Sequence, residues 1–198
     1  MSESENGQPK VSNWNIANIL TILRIAMVPV FVWALFQESG ESVGWRWAAV
    51  GIFALASLTD KVDGHLARSR GLITDLGKIL DPIADKFLTG AALISLSILG
   101  DVWWWVTIVI LGRELITAMR FVVIKYAVLP ASRGGKLKTV LQMLAIGAFL
   151  LPLFALPSFF HVIAVILMAL ALIVTVVSGI DYLFTGYRVF TEGRRTQK

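Results

Sequence analysis

Four of the five aspartates in the stretch SLTDKVDGHLARSRGLITDLGKILDPIADK, residues 57–86, are spaced as two pairs. Asp60 and Asp63 lie three residues apart, and Asp81 and Asp85 lie four apart. At about 100° per residue, each pair falls on one side of a helix, so two helices would offer two carboxylates each. Two unit charges about 5 Å apart repel by about 3 kcal/mol at an effective dielectric of about 20. If the four carboxylates meet, they must therefore bind cations or take up protons.

The available ligand types point to a hard cation. The chain has no cysteine, and His65 and His161 lie too far apart in the sequence to suggest a zinc pair. An all-oxygen set favours Mg²⁺, with Mn²⁺ as a substitute. Two such ions held by four carboxylates would match the arrangement that stabilises the attacking and leaving oxygens in phosphoryl transfer.

Each aspartate taken singly has a structural alternative, because a carboxylate near a helix end can cap that helix. Asp81 directly precedes Pro82, which fits an N-cap followed by proline at the first helical position. A new helix would then start at Pro82, and Asp81 need not share a face with Asp85. Small residues on the same faces favour a binding site instead, since they let a bulky ligand approach the helix backbone. These small residues are Gly64, Ala67 and Gly77.

The composition of the chain is typical of a protein embedded in a lipid bilayer. Of 198 residues, 57% are hydrophobic and 16% are charged, and the mean hydropathy of +0.75 is far above that of a water-soluble domain. The net charge is +5, but the basic residues lie between apolar runs and form no stripe, which argues against nucleic acid as a partner. The sequence predicts an all-α integral membrane protein in contact with membrane lipid.

Six apolar runs are long enough to span a bilayer, which needs about 20 residues per helix. They are 17–36, 45–66, 76–99, 102–127, 137–157 and 160–185, with tight turns between the third and fourth and between the fifth and sixth. This pattern predicts one six-helix membrane domain, 15–187, between a disordered cytoplasmic tail, 1–14, and a basic cytoplasmic tail, 188–198. No internal repeat supports an inverted-repeat transporter.

Basic residues predict the orientation, because Lys and Arg are retained in the cytoplasm during insertion. They flank the second-to-third connection, the fourth-to-fifth connection and the C-terminus, and include Lys61, Arg68, Arg70, Lys78, Arg133, Lys136, Lys138, Arg188, Arg194, Arg195 and Lys198. Tryptophans cluster at the opposite helix ends, where indole rings favour the headgroup region; they are Trp45, Trp47, Trp103, Trp104 and Trp105. We expect a multi-pass cell-membrane protein with both termini and a polar active-site cavity facing the cytoplasm.

The motif Asp60-x-x-Asp63-Gly64-x-x-Ala67-Arg68, then eight residues, then Gly77-x-x-x-Asp81-x-x-x-Asp85, resembles the complete signature of the CDP-alcohol phosphotransferase family. The resemblance implies transfer of a phosphatidyl group from CDP-diacylglycerol to a small alcohol, with release of CMP, by a homodimer. It also implies that Asp60, Asp63 and Asp81 bind metal, and that Asp85 is both a metal ligand and the catalytic base. The residues that it assigns to CDP-diacylglycerol are Asn18, Asp63, Gly64, Ala67, Arg68, Thr74 and Gly77.

The segment NIANILTILR also resembles the opening of that family, which places Asn18 near the nucleotide. The family commonly has a proline near this asparagine, whereas this chain has Ala17. The structural alternative is that Asn18 caps the first helix.

A second basic group suggests what the acceptor is. Arg113, Arg120, Lys136 and Lys138 could form an anion pocket for a substrate phosphate. Alternatively, Arg113 pairs with Glu114 or an aspartate, and the two lysines are ordinary cytoplasmic residues. GRELITAMR followed by GKLKT resembles the branch of the family that uses glycerol 3-phosphate. Inositol phosphate and serine stay open as acceptors.

The motif supplies metal ligands and a base without a separate covalent nucleophile, which predicts a direct displacement in which Asp85 accepts the acceptor's proton. A cation or phosphate transporter is the alternative class, because buried charges also mark ion pathways. Charges clustered towards one side of the membrane favour the enzyme.

Overall fold

The computed structural model of the protein consists of six α-helices in the residues that it describes, 15–69, 74–123 and 133–195. They are α1 (Ile16–Leu35), α2 (Val43–Ser69), α3 (Asp75–Ile98), α4 (Trp104–Val123), α5 (Arg133–Leu150) and α6 (Ser158–Arg195). Short 3₁₀ turns cover Gln37–Gly40 and Leu153–Ala155, and these ranges contain no strand. The predicted all-α class is confirmed.

Among the residues that the structure describes, two helices are long and apolar enough to cross a membrane, through Asn18–Leu35 in α1 and Ser158–Ile180 in α6. Shorter apolar stretches, Val43–Thr59 and Lys138–Leu150, lie in α2 and α5. The six predicted spans match the six helices in order, and their passage through a bilayer stays a prediction.

At one end of the bundle, here called the site end, the start of α1 contacts the first half of α3, α3 and the start of α5 contact α4, and α4 contacts α6. The opposite end, with the turns after α1, α3 and α5, is the far end. Between them, large side chains from several helices form a continuous apolar core that excludes water. Its fully buried members include Val28, Phe31, Leu35, Leu88, Leu93, Leu96, Ile110, Ile146 and Leu150.

Local sequence sets several helix boundaries. Asn15 caps α1 by accepting a hydrogen bond from the backbone N–H of Asn18 at 3.0 Å. The fifth run, predicted to reach residue 157, ends as a helix at Leu150. Pro152 explains this difference, because it lacks an N–H and disfavours helical geometry in the residue before it. By contrast, α6 is longer than predicted. It continues to Arg195, through most of the predicted C-terminal tail, 188–198.

At the far end, hydrogen bonds from Arg46 connect three segments of the chain, and its side chain is only 5% exposed. Its guanidinium donates to the carbonyl of Gly40 at 2.6 Å, to Asp101 Oδ2 at 2.6 Å and to the carbonyl of Phe149 at 3.5 Å. Asp101 lies in the tight turn after α3, where Gly100 adopts a φ of +83° that glycine tolerates best. The five tryptophans predicted for the headgroup region lie exposed at this same end.

Candidate active site

Asn18 and Thr74 join the starts of α1 and α3 at the site end. Asn18 Nδ2 donates to Thr74 Oγ1 at 2.9 Å, and both side chains are buried. Thr74 Oγ1 also accepts from the backbone N–H of Gly77 at 3.0 Å, so Thr74 is the N-cap of α3. The alternative that Asn18 caps α1 is wrong, since Asn15 does so. Two residues assigned to the nucleotide therefore touch each other across two helices.

Gly77 is a site glycine whose missing side chain has a clear cause in the structure. A Cβ atom at this position would lie 2.7 Å from Asn18 Oδ1 and 3.2 Å from Thr74 Oγ1. We expected Gly77 to leave space for a ligand. The space next to it is instead taken by the amide of Asn18, which the glycine allows to approach the backbone of α3.

Asp81 and Asp85 lie on one continuous helix. Pro82 is inside α3, which runs from Asp75 to Ile98 with its cap at Thr74, so the alternative of Asp81 as an N-cap is wrong. With one helical turn between them, Asp81 and Asp85 share a face with Gly77. Both carboxylates are half-buried, and so partly accessible to a ligand.

Thr21 holds the first of these carboxylates from α1. Its buried hydroxyl donates to Asp81 Oδ1 at 2.8 Å. A carboxylate has about four lone-pair sites, so this hydrogen bond leaves Asp81 able to bind a cation. Arg24, one helical turn further along the buried side of α1, is 1% exposed. In the sequence, Thr21 and Arg24 stand out only as parts of the segment NIANILTILR, and neither was predicted to belong to the site.

The remaining carboxylates, Asp60 and Asp63, belong to the last part of α2, which packs against α3. Their side chains lie outside the part of the chain that the structure describes, as do those of Ala67 and Arg68, and the same applies to the surroundings of Gly64. Within the described part, no group of three or more metal-binding side chains forms. The donors that are described, Asp81 and Asp85, are carboxylates of the type that hard divalent cations prefer, so they fit the expected metal.

A cluster of four charged side chains lies next to this face, contributed by α3, α4 and α5. Glu114 Oε2 accepts from Lys86 Nζ at 2.9 Å, and Glu114 Oε1 accepts from Lys138 Nζ. Arg113 Nη1 approaches the same carboxylate at 3.8 Å. Three cations thus surround one anion, and we call Lys86, Arg113, Glu114 and Lys138 the Glu114 cluster. Its surplus of positive charge attracts anions.

The structure brings together two of the four residues predicted for the acceptor phosphate, Arg113 and Lys138. Arg113 Nη2 also donates to Ser178 Oγ of α6 at 3.2 Å, so its pairing with Glu114 is only one of its contacts. Lys138 is buried and is paired with Glu114. The side chains of Arg120 and Lys136 are not among those that the structure describes.

Lys86 and Glu114 belong to the cluster, although neither was assigned to the site from the sequence, where Glu114 was considered only as a partner of Arg113. The available signal was adjacency, since Lys86 follows Asp85 and Glu114 follows Arg113. Adjacency alone does not show that residues 28 and 24 positions apart in the chain meet at one carboxylate.

The sequence of this chain matches a known protein family and several bacterial proteins. Residues 14–177 match the family model described as CDP-alcohol phosphatidyltransferase. A Mycobacterium tuberculosis protein named "Probable phosphatidylglycerophosphate synthase" is 53% identical over 175 residues, covering 88% of this chain and 82% of the relative. A Bacillus subtilis protein named "CDP-diacylglycerol--glycerol-3-phosphate 3-phosphatidyltransferase" is 37% identical over 180 residues, covering 85% of this chain and 93% of the relative. A Rickettsia bellii protein of that same name is 40% identical over 139 residues, covering 69% and 75%.

Proposed function

The chain belongs to the CDP-alcohol phosphatidyltransferase family, and on that premise we propose that it transfers the phosphatidyl group of CDP-diacylglycerol to glycerol 3-phosphate. The products are phosphatidylglycerol phosphate and CMP. The names of the similar bacterial proteins support this acceptor. The observation that carries the proposal is the carboxylate face of α3, Asp81 and Asp85, lying directly beside the positively charged Glu114 cluster.

The reaction takes place at a membrane. We infer six transmembrane helices with both termini and the site end in the cytoplasm, in agreement with the basic residues near the site end and the tryptophans at the far end. The diacylglycerol chains of the donor stay in the bilayer while its CDP group reaches a polar cavity between the helices. The family resemblance supports a homodimer in that membrane.

Asp60, Asp63, Asp81 and Asp85 would hold Mg²⁺ or Mn²⁺, as two ions, and Thr21 would fix one of these ligands by its hydrogen bond to Asp81. Such ions, when bound, would supply positive charge that stabilises the departing CMP. Asn18 and Thr74, fixed to each other and backed by Gly77, present polar atoms to the nucleotide. Asp63, Gly64, Ala67 and Arg68 would complete that surface, and the Arg68 guanidinium suits a diphosphate because it can donate two hydrogen bonds at once.

Asp85 accepts the proton of the glycerol 3-phosphate hydroxyl as that oxygen attacks the lipid-linked phosphorus. A phosphorus–oxygen bond to the acceptor forms while the bond to CMP breaks, so the phosphatidyl group moves in one displacement. Arg113, Arg120, Lys136 and Lys138 form the positive field that holds the acceptor phosphate.

The test is CMP release by the purified protein in detergent, with CDP-diacylglycerol and glycerol 3-phosphate, inositol 1-phosphate or serine offered in parallel. We expect preference for glycerol 3-phosphate and loss of activity when EDTA removes divalent cations. Preference for another acceptor would reject glycerol 3-phosphate and keep the chemistry. Absence of CMP release with every acceptor would favour a transporter, since detergent removes any gradient.

Asp85→Asn tests the proposed base in the same assay. An amide cannot accept the proton, so we expect kcat to fall by about 100-fold or more. Full activity in this variant would remove Asp85 from that role.

A further inference from the structure

The cations of the Glu114 cluster differ in how easily a substrate can reach them. The side chain of Lys138 is 3% exposed and is paired with Glu114, whereas that of Lys86 is 34% exposed. Each ammonium group has three N–H donors and gives one to Glu114, so the two lysines differ in exposure and not in their number of donors. An incoming phosphate can reach Lys86 while its pair with Glu114 stays intact, whereas Lys138 has almost no accessible surface.

Lys86 is also the cation next to the proposed base. Its Cα lies about 3.8 Å from that of Asp85, and its side chain projects about 100° further around α3. That rotation points it towards α4, where Glu114 holds the ammonium at 2.9 Å. Asp85 and Lys86 thus form a carboxylate and a cation on neighbouring strips of one helix. Glycerol 3-phosphate has the complementary pair, a hydroxyl and a phosphate separated only by the glycerol carbons.

We propose that Lys86 binds the phosphate of the acceptor while Asp85, the preceding residue, takes the proton from its hydroxyl. Glu114 is the positioning residue that holds Lys86 towards α4. The inference rests on the proposed function and adds to it a residue that determines specificity for phosphorylated acceptors, through the contact that places the hydroxyl at the base.

Replacing Lys86 by glutamine removes the charge and leaves Glu114 paired with Lys138, so the protein should still fold. We expect the KM for glycerol 3-phosphate to rise about 10- to 100-fold, the range for loss of one hydrogen bond between charged groups. The KM for CDP-diacylglycerol should change by less than about threefold, because Lys86 does not face the nucleotide residues. Lys86→Arg keeps the charge and should restore most of the affinity.

A second measurement does not depend on turnover. Glycerol 3-phosphate should raise the thermal midpoint of the wild-type protein in detergent and of Lys86→Arg, since a ligand that binds only the folded state stabilises it. At the same concentration it should have little effect on Lys86→Gln. An unchanged KM for glycerol 3-phosphate in Lys86→Gln, or an unchanged thermal shift, would overturn the inference. Those results leave the proposed function in place, which fails only if the wild-type protein does not use glycerol 3-phosphate.

Discussion

At the scale of single residues, the site is defined by contacts that a motif does not state. Asn18 and Thr74 are two polar residues assigned to one ligand, and in the folded chain they also bind each other. Gly77 lies against that pair with no space for a methyl group. The signature glycine therefore has a packing role in addition to any role beside the nucleotide. Packing and ligand binding both favour a residue without a side chain at this position.

Gly77→Ala tests this packing role. The added Cβ would lie 2.7 Å from Asn18 Oδ1, so the amide must move and its hydrogen bond to Thr74 must lengthen or break. We expect a loss of about 1–3 kcal/mol of unfolding free energy, together with a higher KM for CDP-diacylglycerol. Thermal unfolding in detergent and CMP-release kinetics measure the two effects.

Gly51→Ala is the matched control, because no atom lies within 4 Å of a Cβ built at this helical position. Alanine is favoured over glycine inside a helix, so this control should be neutral or more stable by up to about 1 kcal/mol. Equal behaviour of the two variants would mean that Asn18 can move away from Gly77 without cost.

At the scale of helices, much of the fold could be predicted from the sequence. Each of the six apolar runs overlaps one helix, and the first three agree with α1, α2 and α3 to within about three residues at each boundary. The number of helices follows from the number of long apolar runs, because each run forms one helix. The end of α5 was missed because the apolar run continues past Pro152, and hydropathy does not register the missing N–H.

The pairing of polar residues between helices could not be predicted in the same way. Thr21 and Asp81 are 60 residues apart, and Glu114 and Lys138 are 24 apart. Composition predicts that buried charges need partners, but several partners of suitable charge are available to each. Only the packing of α1, α3, α4 and α5 selects among them. The carboxylate face of α3 was predictable because its spacing is internal to one helix.

Glu114 links three helices, and its replacement should expose how much they depend on it. Glu114→Gln leaves Lys138 buried without its carboxylate, which we expect to cost about 3 kcal/mol of stability. The double variant Glu114→Gln with Lys138→Met removes both charges and should recover most of that loss, since methionine fills a similar volume. Thermal midpoints in detergent give the double-mutant cycle.

Lys86→Gln serves as the comparison within the same cluster. Lys86 is the more exposed partner, so its loss should cost at most about 1 kcal/mol.

The outcome for the double variant, Glu114→Gln with Lys138→Met, decides the role of the buried pair. If it were no more stable than Glu114→Gln alone, Lys138 would not depend on Glu114 for its place in the fold.

At the scale of the whole molecule, the two ends of the helical bundle use charge differently. The site end carries an excess of cations beside accessible carboxylates, whereas at the far end Arg46 and Asp101 form a closed ion pair. Asp101→Asn should therefore lower stability by about 1.5–3 kcal/mol, the range for a hydrogen bond between charged groups. The KM values should stay unchanged at temperatures where the variant is folded. A changed KM for either substrate would show that the far end influences the site.

Arg46 also joins parts of the chain that are synthesised at different times. Its three acceptors lie 6, 55 and 103 residues from it along the chain, on the preceding turn, on the turn after α3 and near the end of α5. A guanidinium is costly to bury until its acceptors are present. Two of these three acceptors, Asp101 and the carbonyl of Phe149, are not yet synthesised when the first two helices are complete. The full set of Arg46 contacts therefore requires the chain as far as Phe149.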